Sequence, residues 1–170
     1  AAFEHGFEAF GVEQLLRYEE LTSNNETYLW YFPNGDHATK ETSTSPEAYP
    51  TDGWGASAML YALIEGLVGV VDEQKAFNSV RLAPRWIAAG QKEVQVTCVY
   101  GASGASLCYD FRHDPAAQTI TLEASGHTTA NLHVLLPVGT RVRRVTCQGR
   151  RVRAVTTMVE QSPYADAACR

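Results

Sequence analysis

The sequence contains no run of about 18 apolar residues, so it offers no helix able to cross a bilayer. It has no basic segment leading into an apolar core, the pattern of a secretory leader. Its four cysteines, Cys98, Cys108, Cys147 and Cys169, lack CxxC spacing, which leaves a zinc site or a redox motif without support. Its histidines, His5, His37, His113, His127 and His133, are scattered and show no metal-ligand spacing. GxGxxG, P-loop and GxSxG patterns are all missing, which removes the usual nucleotide and serine-hydrolase readings. No metal and no cofactor is therefore expected. Basic residues are in the minority, 14 Lys and Arg against 19 Asp and Glu, and the net charge of -5 argues against a general nucleic-acid binder. A soluble protein is expected, with no membrane partner and with the cytoplasm favoured over secretion.

What is present describes an ordinary globular chain, 45% hydrophobic and 19% charged. The charge is divided unequally. Residues 1–76 hold 13 acidic and 3 basic side chains, whereas residues 77–170 hold 6 and 11. Two units with different surroundings follow from that shift, a helical unit over 1–76 and a strand-rich unit over 77–170. The basic half includes Arg141, Arg143, Arg144, Arg150, Arg151 and Arg153. A solvated sheet face docked on the acidic helical unit accounts for them without a nucleic-acid partner.

Residues 2–21 read as a helix with Phe3, Phe7 and Phe10 spaced for one face. Residues 26–53 carry no clear periodicity and contain a polar stretch, Thr39 to Ser45, a loop long enough to be functional. Residues 54–69 read as a second helix, apolar around its whole circumference apart from Glu65. Such a helix is expected to be buried on all sides in an array of helices larger than this chain supplies. The chain starts abruptly within the first helical pattern, and a fragment of a longer polypeptide is the expectation. Gly69 ends the second helix and Val70–Ala76 reads as a link.

From Phe77 onward, short strands alternate with turns, at 78–83, 93–100, 106–112, 118–124, 130–136, 141–147, 150–156 and 157–165, which predicts an antiparallel β-sandwich. Around Gly101–Ala105 a hairpin is expected, with Val96, Cys98 and Tyr100 opposite Phe111, Tyr109 and Leu107. That register turns Cys108 away from Cys98. All four cysteines read as reduced, buried thiols.

The richest chemistry lies in Glu47-Ala48-Tyr49-Pro50-Thr51-Asp52-Gly53-Trp54-Gly55, which leads into the second helix. Glycosidic cleavage uses a carboxylic acid that protonates the leaving oxygen and a carboxylate that activates water or attacks the sugar. Glu47, close to a helix N-terminus that favours its ionised form, is the candidate general base; a surface or capping acid is the plain alternative. Asp52 is placed either to bind sugar or to cap the helix. Tyr49, Trp54 and Trp30, with Tyr28 and Tyr31, offer rings for sugar faces or for a core. His37 could bond a hydroxyl or sit in solvent, and Glu41 is an alternative acid.

The apolar helix followed by strands resembles the end of six-hairpin glycosidases, in which an (α/α)6 barrel carries the active site and a small β-sandwich follows. Gly69-Val70-Val71-Asp72 and then Phe77-Asn78-Ser79-Val80-Arg81-Leu82-Ala83-Pro84 resemble the barrel-to-sandwich junction of bacterial α-L-rhamnosidase-type proteins. The run from Glu47 to Gly55 is similar to a trehalase loop whose first Glu is the catalytic base, and it departs from that loop at Ala48, Tyr49 and Ala56. The resemblance implies an α+β chain in which residues 1–76 are the last helical hairpin of an (α/α)6 barrel and residues 77–170 an antiparallel β-sandwich. It implies the C-terminal portion of a glycoside hydrolase acting on oligo- or polysaccharides. Glu47 would be the base, and the partner acid would lie outside the chain. Carbohydrate is the expected ligand. The remainder of the parent polypeptide, or another chain, is the expected cover for helix 54–69. A non-catalytic carbohydrate-binding or structural β-sandwich with a helical appendage is the alternative.

Overall fold

The computed structural model describes residues 1–22, 53–101, 104–126 and 129–169. Strands dominate. The N-terminal pattern splits into a 3-10 turn, Ala2–His5, and helix α1, Glu8–Thr22. The break falls at Gly6, whose φ of 75° ends the turn and which packs against the backbone of Val159 and the side chain of Glu160. Helix α2, Gly53–Tyr61, continues as a wider π-helical stretch, Ala62–Val68.

Gly69 then reverses the chain in the left-handed region, at φ 71°. A Cβ there would lie 2.0 Å from the Ala83 carbonyl oxygen, so the site accepts only glycine. The reversal starts strand β1, Val70–Gln74, in the segment expected to be a link. Nine further strands follow: β2 (Ser79–Leu82), β3 (Glu93–Tyr100), β4 (Ala105–Asp114), β5 (Thr119–Ser125), β6 (Thr129–Leu135), β7 (Val145–Cys147), β8 (Arg150–Val152), β9 (Ala154–Val159) and β10 (Ser162–Cys169).

They form a five-stranded sheet in the order β1-β2-β6-β10-β9, a three-stranded sheet β3-β4-β5 and a separate β7-β8 ribbon. Val68, Val70, Val80 and Leu82 meet Leu107, Tyr109 and Phe111 between the two larger sheets in one buried cluster. Alternation explains the second set, because Leu107, Tyr109 and Phe111 sit two apart on one face of β4. Their β3 partners are Cys98, Val96 and Val94. The expected pairing was thus displaced by two residues, which keeps the same side chains on the core face.

These observations overturn the expected fold class. Among the described residues there is no helical hairpin of an (α/α)6 barrel, only two short α-helices beside a mainly β structure. The sheets are not a wholly antiparallel sandwich either. β2 and β6 pair in parallel, and the sheets stay open along one side. The physical cause is the reversal at Gly69, which puts β1 on the sheet edge beside β2 and leaves β2 to be followed by the separate β3-β4-β5 meander. Complete burial of the second helix is also not seen. Gly66, Leu67 and Val68 are buried, but Leu60 and Tyr61 are 56% and 60% exposed. No helix among the described residues is long and apolar enough to cross a membrane.

Two cysteine expectations divide. Cys98 and Cys108 are free, as the hairpin register requires. Cys147 and Cys169 form a disulfide, which corrects the reading of all four as thiols. Their Cα atoms stand 5.8 Å apart, within bridging range. Sequence distance hid the pair, since 22 residues separate the two cysteines and the β7 end meets the β10 end only in the folded chain.

Candidate functional site

The helices meet the five-stranded sheet through polar groups as well as apolar ones. Arg85 is 1% exposed, and all three of its nitrogens are engaged. Nη1 donates to the Gly66 carbonyl at 2.6 Å and, at 3.3 Å, to those of Glu65 and Ala83. Carbonyls at a helix C-terminus lack intrahelical donors, and the guanidinium supplies them. Nε donates to the Tyr164 hydroxyl at 3.1 Å, and Nη2 meets the Glu4 carboxylate at 3.0 Å. Glu4 also accepts from Arg81 at 3.2 Å. Burial alone would raise the Glu4 carboxyl, but Arg85 and Arg81 outweigh it and hold it below the ordinary range.

Glu8, at the start of α1, is 4% exposed and accepts hydrogen bonds from Ser162 Oγ at 2.6 Å and from the Tyr164 hydroxyl. Burial, followed by that bond to Glu8, pushes the Tyr164 phenol far up, so it stays a donor. Tyr109 makes a similar link. Its hydroxyl donates to the Val68 carbonyl at 2.5 Å and accepts from Trp86 Nε1 at 2.9 Å.

Beside this junction, the outer face of the five-stranded sheet carries a polar row. His133 on β6 stands opposite Asp166 on β10, and Nδ1 lies 2.6 Å from the carboxylate. Thr157 donates to the other oxygen of Asp166. The imidazole stacks on the Tyr164 ring, centroid to centroid 4.0 Å at 6°. Asn131, two residues along β6, donates to Glu73 at 2.8 Å. Carboxylate and ring stacking fix the imidazole rigidly. No periodic signal could have found this couple, because its members lie 33 residues apart.

A cleft of about 1350 Å³ separates the two larger sheets on their open side. Leu122 and Ala124 face it from β5, and Leu132, Val134 and Ala165 from the other sheet. Residues 136 to 148 close it along one edge and bring Arg141, Arg143 and Arg144 to its rim.

Of the residues singled out for chemistry, Glu47, Asp52, Tyr49, Trp30 and His37 lie outside the described residues, as do Glu41, Tyr28 and Tyr31. Trp54 stands in the first turn of α2, and its side chain lies outside them too. The structure fixes the start of α2, the helix into which this segment leads, at Gly53. Among the described residues, no group of three or more His, Cys, Asp and Glu side chains could hold a metal ion. Among family models, curated proteins and solved structures, none matches this chain.

Proposed function

We propose that this chain is part of a glycoside hydrolase acting on oligo- or polysaccharides, with Glu47 as general base. The observation that carries the reading is the start of α2 at Gly53, so that Glu47 to Asp52 lead directly into a helix N-terminus. The partial positive charge of that end favours an ionised carboxylate nearby, as a base requires. Glu47 takes a proton from water as the water attacks the anomeric carbon. An acid outside the 170 residues delivers a proton to the departing glycosidic oxygen. Asp52, Trp54, Tyr49, Trp30 and His37 bind the sugar, the rings against its C–H faces and the polar groups through its hydroxyls.

The exposed apolar side chains of the helices support a further part of the reading. Phe7, Phe10, Leu16, Leu60 and Tyr61 are all more than half exposed, although α1 and the π-helical stretch are locked to the sheet. Large apolar patches of this kind mark surfaces that another element covers. The remainder of the parent polypeptide, or another chain, is that cover, and it brings the partner acid.

The test compares the chain with its parent polypeptide on a panel of aryl glycosides. The parent carrying Glu47→Gln is expected to lose at least about a thousandfold in kcat, and the isolated chain to show no turnover. A parent that keeps its rate with Gln at position 47 removes Glu47 as the base. Turnover by the isolated chain, abolished by the same substitution, removes the external acid.

A further inference from the structure

The β7-β8 ribbon is the most basic part of an acidic protein. Arg141, Arg143, Arg144, Arg150, Arg151 and Arg153 fall within thirteen residues, and no Asp or Glu occurs between Glu123 and Glu160. All six are exposed. The charge division of the sequence predicts that these arginines form a solvated face on a unit docked against the acidic helical one, and all six are indeed solvated. The ion pairs joining the helices to the sheets run from Glu4 to Arg81 and Arg85. Among the described residues, none of the six arginines has an ion pair or a side-chain hydrogen bond. Six guanidinium groups without ion pairs within thirteen residues, two on β8 and four flanking the ribbon, repel one another, and an anion relieves that repulsion.

The shape of the arm narrows the anion. Cys147 and Arg150 are paired and share the face that the disulfide turns toward β10, while Arg151, paired with Thr146, faces away. Arg141, Arg143 and Arg144 follow the rim of the cleft. The charges are spread along an edge instead of converging on a point, which fits a linear polyanion better than a single phosphate or carboxylate. Residues 136 to 153 contain no aromatic residue, so the arm lacks the stacking platforms on which single-stranded nucleic acids depend. Planar guanidinium forks match carboxylate and sulfate oxygens pairwise.

We propose that the β7-β8 arm and the adjoining cleft rim bind an acidic polysaccharide, one bearing uronate or sulfate groups. The choice of polysaccharide among polyanions rests on the glycoside-hydrolase reading, and the proposal deepens it by giving the substrate class a charge. The arm holds the polymer electrostatically and contributes no group to bond cleavage.

The experiment measures binding of the whole 170-residue chain to polygalacturonate and to heparin, with dextran and duplex DNA as comparisons, at two salt concentrations. Both acidic polysaccharides are expected to bind and dextran is not. Affinity is expected to fall about tenfold or more between 50 and 200 mM salt, as counterion release requires. Replacing the six arginines by Gln should lower affinity by about a hundredfold. Because all six are exposed, circular dichroism should show an unchanged fold. A control with Arg17, Lys92 and Arg112 changed to Gln should stay within about threefold of the original. The proposal is overturned by absence of binding to both acidic polysaccharides at 50 mM salt, by an equal loss in the control, or by tighter binding of duplex DNA. Each of these outcomes leaves the Glu47→Gln test untouched, so failure of the arm and failure of the hydrolase reading are read separately.

Discussion

The helix-to-sheet junction and the β7-β8 arm are two ways of attaching a segment to the same sheet. At the junction, Arg85, Glu8, Tyr164 and Tyr109 are buried, and their side-chain hydrogen bonds join separate segments, apart from the one from Arg85 to the nearby Ala83 carbonyl. Among the described residues, the arm hydrogen-bonds beyond itself through two backbone amides, Leu136 to the Pro163 carbonyl at 2.8 Å and Val142 to Thr156 Oγ1 at 3.0 Å. One disulfide then ties it to β10. The junction leaves its polar groups satisfied and its apolar surplus on the far side of the helices. The arm leaves its charge free. Buried polar networks hold geometry because breaking any member strands the others, whereas an exposed ribbon keeps its groups available to a ligand.

Gly69→Ala should break the junction most severely. It combines a left-handed backbone with a backbone clash, and a loss of about 4 kcal/mol or more in denaturant unfolding is expected. Arg85→Met removes a buried guanidinium from its pair with the half-exposed Glu4 and strands the Gly66 carbonyl; about 3 kcal/mol is expected from the same measurement. On the arm side, Cys147→Ser opens a loop closed by residues 22 apart. Chain entropy sets the loss at about 3 kcal/mol, and hydrogen exchange should place it in the ribbon while the junction stays protected. If Cys147→Ser loosens the junction amides as much as the arm, the contrast between the two regions fails.

The smallest effect sharpens the comparison through pH. Glu4 has a folded pKa below its ordinary value of 4.5. A depressed carboxylate contributes stability above its unfolded pKa and loses that contribution as pH falls through the folded value. Melting temperature should therefore fall as pH drops below about 4.5, and Glu4→Gln should make that fall shallower. An identical acid profile in the variant would show that Arg85 is held without help from Glu4.

The positions of β2 to β6 along the chain were legible because alternation is a local property, whereas the strand expected over 157–165 falls across the turn between β9 and β10. Leu107, Tyr109 and Phe111 announce a half-buried strand in any context. Strand β1 was not legible. Val70–Gln74 is short and carries Asp72 and Glu73, so nothing local distinguishes it from a link, and only its pairing with β2 makes it a strand. The helix at 54–69 was found at nearly its observed bounds, since it needs only a run of good helix formers between Gly53 and Gly69. Its surroundings were misread, because uniform apolarity says that cover is needed and not where it comes from. In the proposed site, the sequence marked Glu47, Asp52 and the neighbouring rings, while the His133–Asp166 couple and the Arg85 hub carried no mark. Both depend on which strands become neighbours.

By itself the sequence determined the local events: where the second helix lies, where strands alternate, where glycine ends that helix and where positive charge concentrates. Those follow from backbone sterics and side-chain period, which act over a few residues. Tertiary structure alone decided the parallel step between β2 and β6, the pairing of Cys147 with Cys169, the burial of Arg85 under the helices and the exposure of the six arginines in and beside the ribbon. Each of these is a meeting of residues distant in the chain, and such a meeting is settled by the global arrangement of sheets that buries the most apolar surface and leaves the fewest polar groups unpaired.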